Sequence, residues 1–179
     1  MLLYHYYDKT VGPFRSISEL TDEEAERLLA EIKVSKPRSM CAGRQEEYLT
    51  IRRRVEGIMK HRFLIKGGRV ERDTPHYLVV GECRWLGEWY ENCGVIKIDM
   101  SALDPGTVSF TYGDSHPTFG GRINDGKEYR NKIYTYDEIP AIIEKYGLPQ
   151  VHNADGRYGP ERYVEAQVWS DRGIIGCPV

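Results

Sequence analysis

At 179 residues, 40% of them hydrophobic and 29% charged, the chain has the make-up of one folded domain whose core needs no metal or disulfide support. A net charge of −2 and a pI near 6.2 supply no overall positive field for nucleic acid or an anionic membrane. No run approaches the roughly 18 apolar residues of a membrane span, the opening MLLYHYYDKTVG lacks the regions of a signal peptide, and the four cysteines form no C-x-x-C pair; a cytoplasmic chain with free thiols is expected.

Leu2 to Tyr7 reads as an opening strand with Leu3, His5 and Tyr7 on one face and Leu2, Tyr4 and Tyr6 on the other. Gly12-Pro13 ends it. Thr21 followed by Glu24 is a capping box, and Ala25, Leu28, Leu29 and Ile32 then recur at helical spacing. From about Arg44 to Phe63 a second, long helix carries Tyr48, Ile51, Val55, Ile58, Met59 and Phe63 on its apolar stripe. Arg52, Arg53, Arg54, Lys60 and Arg62 fill much of the remainder, either as a solvated face balanced by Glu46, Glu47 and Glu56 or as a surface for phosphate or nucleic acid.

His76 to Glu82 is apolar enough for a central strand, and Cys83 to Asn92, holding Trp85, Trp89 and Tyr90, reads as a loop or short helix clamped by aromatics. Gly94 to Met100 is a further strand. Ser101 to Gly106 turns the chain into Val108 to Tyr112, and these two strands are expected to pair antiparallel. Gly113 then breaks the pattern into a loop carrying Asp114, Ser115 and His116, and Pro117 to Lys132 reads as a long surface loop. Ile133 to Tyr136 is a short strand or helix entry. Asp137 to Tyr146 is a shorter helix that tolerates Pro140 in its first turn and stops at Gly147.

His152 to Pro160 is turn chemistry, and Arg162 to Trp169 is the last strong strand, with Tyr163, Glu165, Gln167 and Trp169 on one face. The end, SDRGIIGCPV, is expected to be loosely held. The sum is a single α+β domain over residues 1–179: a central, mostly antiparallel sheet of about five or six strands, two long helices and one shorter one.

Chemistry is sought first at Glu165, because strand interiors disfavour Glu. In a cleft it accepts a hydroxyl or stabilises a cationic transition state, with Gln167 as auxiliary donor; on a solvated face it is an ordinary outward residue. His5 is open in the same way, as a hydrogen-bonded structural histidine or as a ligand contact from the first strand. Asp114, Ser115 and His116 are adjacent and cannot form a relay triad, and no G-x-S-x-G elbow is present. His5, Asp114, His116, His152 and Asp155 offer metal donors at unspecific spacing, with no H-E-x-x-H, so no metal ligand is assigned. Neither G-x-G-x-x-G nor a Walker sequence occurs.

The segments LYHYYDKT, GVIKIDMSALDPGTVSFTYGDS and RYVEAQVW, in this order, are similar to strands of the ADP-ribosyltransferase fold in its His, then Ser/Thr/Tyr, then Glu variety. The resemblance implies NAD as substrate, with His5 on the nicotinamide-side ribose, Glu165 as the carboxylate assisting loss of nicotinamide, and Tyr77 or Tyr112 beside the nicotinamide. Asp114 and Ser115 would add contacts from the central loop, and Arg15, Arg122 or Arg130 would hold the pyrophosphate. The long basic helix and the order Glu165-x-Gln167 depart from the family's pattern. The whole chain also resembles a set of small bacterial proteins of unknown function that share a YHYY opening, an SFTYGDSHPTF centre and a GPERYVEAQVW end. Three functions are open on this reading: an ADP-ribosyltransferase-like or NAD-glycohydrolase-like enzyme, a non-catalytic ligand- or partner-binding domain, and a metal-dependent hydrolase. The enzyme reading requires His5 and Glu165 to meet beside the central loop.

Overall fold

The computed structural model describes residues 1–45, 47–121 and 123–174. Six strands, β1 (Leu2–Asp8), β2 (His76–Val80), β3 (Cys93–Asp99), β4 (Val108–Tyr112), β5 (Tyr134–Thr135) and β6 (Val164–Val168), form one sheet in the order β3-β1-β2-β6-β4-β5. Every strand pair in it is antiparallel. The helices are α1 (Asp22–Ser35), α2 (Tyr48–Ile65), α3 (Arg84–Gly87), α4 (Ser115–Phe119), α5 (Ile139–Tyr146) and α6 (Pro149–His152), and the fold is α+β.

Local chemistry sets the helix ends. Thr21 and Glu24 close a reciprocal capping box that satisfies two otherwise orphaned amides of α1. Pro140 lies in the first turn of α5, where its missing N–H costs nothing, and Gly147 ends the helix at φ +75°.

One face of the sheet carries Leu3, Leu78, Val80, Ile96, Ile98, Val108, Phe110, Val164, Ala166 and Val168, and packs with Ile139, Ile142, Ile143 and Tyr146 from α5. The other face is covered at one end by Val55, Met59 and Phe63 of α2 with Phe119 of α4, which pack on Trp169 and Tyr77. At the other end Leu86 and Trp85 of α3 pack on Val79 and Tyr163. Between these two apolar patches lies a band of polar side chains, and this band is where the site is found.

Two expectations are corrected. The strands over 94–100 and 108–112 do not pair: β3 pairs with β1 along seven residues, while β4 sits beside β6 with β1, β2 and β6 between them. The alternation of β3 and the full burial of β4 report how the two faces of each strand are covered and not which strands flank it. Interior β1 alternates as β3 does, so the local pattern leaves the pairing open. Nor is 117–132 a surface loop throughout. Its start belongs to α4, and Phe119, Tyr129 and Arg130 are buried.

Candidate functional site around Glu165

Register decides which side chains can meet. In an antiparallel ladder, directly opposed residues project from the same face, so Tyr4, Val79, Glu165 and Thr111 share one face, as do Tyr77, Gln167, Ser109 and Thr135. His5 opposes Ile96 and shares the other face with Leu3 and Leu78. His5 and Glu165 therefore point to opposite sides of the sheet and do not meet.

His5 is instead held as a structural imidazole. Phe14 N–H donates to its Nε2 at 2.9 Å, so Nδ1 carries the proton and donates to the Tyr77 carbonyl at 2.8 Å. Its ring stacks on Phe14, which in turn makes a T-shaped contact with His76. Burial lowers the His5 pKa to about 4, against the smaller opposing pull of the Tyr77 carbonyl. Tyr112 also lies on the α5 side: its hydroxyl donates to the carbonyls of Tyr146 and Gly147 at 3.1 and 2.9 Å. Tyr77, by contrast, lies on the Glu165 face.

Glu165 is only 6% exposed, in a strand buried along its whole length. Gln167 Nε2 donates to its Oε1 at 2.9 Å, and the Ser115 hydroxyl, at the first residue of α4, is a second partner. Asp114 caps α4 through the His116 amide at 2.7 Å and accepts the Tyr163 hydroxyl at 2.9 Å, which brings its negative charge towards Glu165. An ionised carboxylate moved into a dry interior loses hydration worth several kcal/mol even after relaxation, more than two neutral hydrogen bonds return. Burial accordingly dominates and raises the Glu165 pKa; the Asp114 charge acts in the same direction, and Gln167, Ser115 and Arg52 only partly offset them.

A second buried acid adjoins this one. Glu56 of α2 is 3% exposed, and its Oε1 accepts from Ser18 Oγ at 2.9 Å and from the Tyr77 hydroxyl at 2.9 Å. Arg52 Nε lies 3.1 Å from the same oxygen, and the guanidinium covers the Tyr77 ring. Arg52 also donates to the Tyr48 hydroxyl, 3.0 Å away. No family model, no curated protein and no solved structure matches this chain. The chemistry of the site rests on these side chains alone.

The remaining expected residues fall outside the band. Arg15 is exposed, Arg130 is buried in ion pairs with Asp125 and Glu161, and Arg122 lies outside the described residues. Arg53 pairs with Asp22, and Arg54 reaches the Gly120 carbonyl at 3.4 Å, so the α2 arginines make contacts inside the chain. Among the described residues no three His, Cys, Asp or Glu side chains are placed together to hold a metal. Cys41, Cys83 and Cys93 are free thiols, and Cys177 lies outside the described residues. None of the described helices is long and apolar enough to cross a membrane.

Of the residues singled out in the sequence, Glu165, Gln167, Tyr77, Asp114 and Ser115 lie together in this band; Ser109, Thr111, Glu56, Arg52 and Tyr163 were not singled out as their partners. A signal for two of them was present. Ser109 and Thr111 are small hydroxyl residues alternating with apolar ones and lack any charge, which suits a polar face buried under a second layer better than one facing water.

Proposed function

We propose that this protein is an enzyme that cleaves a glycosidic bond, by hydrolysis or by transfer of the sugar, with Glu165 as the group acting on that bond. The observation that carries the reading is geometric: a buried Glu165, held by Gln167 and Ser115, beside Asp114, which caps the adjoining helix and accepts the Tyr163 hydroxyl; burial pushes the Glu165 pKa up. A buried carboxyl group beside a second carboxyl group is the usual equipment for acid–base work at an acetal centre. Arg52, Tyr77 and Tyr163 supply further polar atoms at the same place.

The enzyme reading of the sequence joined His5 to Glu165; with the two on opposite faces of the sheet that pair is given up. The present reading rests on Glu165 without His5, with NAD cleavage, as in the ADP-ribosyltransferase-like expectation, as one form of it. In that form His5 has no contact with the ribose, and Glu165 must ionise beside the cationic nicotinamide ring, which favours the charged carboxylate. The test is incubation of the full chain with NAD and with neutral nucleosides, followed by chromatography of the released base, with Glu165→Gln as control. Release by the wild type and its loss in the variant is the expected result. Equal release by both removes Glu165 from the chemistry, and a ligand that raises the melting temperature without any release makes this a binding domain.

A further inference from the structure

Behind Glu165 runs a chain of buried hydrogen bonds whose polarity can be assigned at every link. Trp169 Nε1 donates to Ser109 Oγ at 2.9 Å, Ser109 donates to Gln167 Oε1 at 2.8 Å, and Gln167 Nε2 donates both to Glu165 Oε1 at 2.9 Å and to Thr111 Oγ1 at 3.1 Å. Thr111 in turn donates to the Gly113 carbonyl at 2.8 Å. The indole N–H is only ever a donor, so Ser109 must accept there and has its single proton free for Gln167. Turning the Gln167 amide over would leave the Ser109 proton without an acceptor, and the one Thr111 proton could not serve both Gln167 Oε1 and the Gly113 carbonyl. Trp169, Ser109, Thr111 and Gln167 are at most 1% exposed, so water cannot supply the missing partners. The amide orientation is thereby fixed, and Glu165 Oε1 is left as an acceptor.

We propose that Trp169, Ser109 and Gln167 form a relay of fixed polarity that holds the Glu165 proton on Oε2, and that this fits the site to neutral glycosides whose leaving group must be protonated as it departs. The inference rests on the glycosidic reading above and narrows it. In a neutral nucleoside or O-glycoside the electron pair of the breaking bond goes to the leaving nitrogen or oxygen, which takes the Oε2 proton. Water then bonds to the anomeric carbon, and one of its protons restores Glu165. NAD needs no such proton, because its nicotinamide departs as a neutral molecule. Glu165 is the catalytic residue in this scheme, and Gln167, Ser109 and Trp169 are positioning residues. The charged or titratable groups facing Glu165 are Asp114 beside α4, Arg52 on α2, Tyr77 on β2 and Tyr163 ahead of β6.

Two measurements test this separately. Infrared difference spectra of the wild type against Glu165→Gln at neutral pH should show one protonated carboxyl C=O band lost in the variant. Ser109→Ala, which frees the amide to turn, should move that band to higher frequency as the carbonyl loses its donor; Gln167→Met, which removes the donor at similar volume, is the second variant should Ser109→Ala fail to fold. Absence of the band, or a band unmoved by either variant, overturns the proton placement whether or not any substrate turns over. In the second measurement, inosine and a p-nitrophenyl riboside are compared with NAD across pH. Cleavage of inosine should fall as pH rises and drop about 10²–10⁴-fold in Glu165→Gln, with a smaller drop for the nitrophenyl leaving group. Cleavage of NAD alone, rising with pH, overturns the substrate class, and no turnover of any of the three with the band present overturns the glycosidic reading while the relay stands.

Discussion

His5 and Phe14 are locked together twice, by the Phe14 amide donating to His5 Nε2 at 2.9 Å and by face-to-face stacking of the two rings. Phe14 adopts φ +56° to make this contact, a conformation uncommon for a non-glycine residue. Neither ring nitrogen of His5 is free to take a proton without losing a bond.

The first prediction follows from that lock. The folded-state pKa of His5 is about 4 against an ordinary 6.5, so between these values the unfolded chain takes up a proton that the folded chain refuses. Stability from this group is therefore full above pH 6.5 and is lost as pH falls towards 4, by about 3 kcal/mol at the limit. Urea denaturation at pH 7 and pH 4.5 should show a smaller difference for His5→Gln than for the wild type. An equal acid loss in both would show that His5 is not the responsible group.

Glu165 carries the opposite sign. Its folded-state pKa is raised, so its neutral form favours the fold at low pH and that advantage is lost as pH rises from the ordinary carboxyl range through the raised value. Glu165→Gln keeps an acceptor for Gln167 Nε2 and removes the titration. The variant should be more stable than the wild type at pH 8, on the order of 1–3 kcal/mol, while losing activity, and the gain should vanish at pH 4. Thermal denaturation across pH reads this directly.

Arg130 and Glu161 form an ion pair with both side chains almost fully buried, and Glu161 Oε2 also accepts from Tyr129 and Lys127 at 3.0 Å each. Glu161→Gln takes one carboxylate from Arg130, which keeps its two bonds to Asp125, so it should cost about 1–3 kcal/mol. The double change Arg130→Met with Glu161→Leu should cost less than either single change, a result that denaturant melts and a double-mutant cycle resolve.

Two glycines should respond in opposite directions. Gly57 lies in the exposed middle of α2 with no atom within 4 Å of an added Cβ, and Gly57→Ala should stabilise by about 0.5–1 kcal/mol through helix propensity. A Cβ on Gly94 would collide with the Tyr7 ring, so Gly94→Ala should destabilise by about 1–3 kcal/mol. Melting temperatures of the two variants check both signs.

By itself the sequence determined the local elements and the face each side chain takes. Capping residues, turn residues and apolar period act over a few positions, which is why α1, α5 and the alternation of Tyr163, Glu165, Gln167 and Trp169 are legible in the sequence. What lies beside what was decided only by the tertiary structure. Strand order places β6 between β2 and β4, and this burial turns Glu165 from an ordinary alternating residue into a buried acid of raised pKa with Gln167, Ser115 and Asp114 around it. The same order sends His5 to the far side, because strand pairing depends on contacts between residues distant in the chain, whose balance no local pattern encodes.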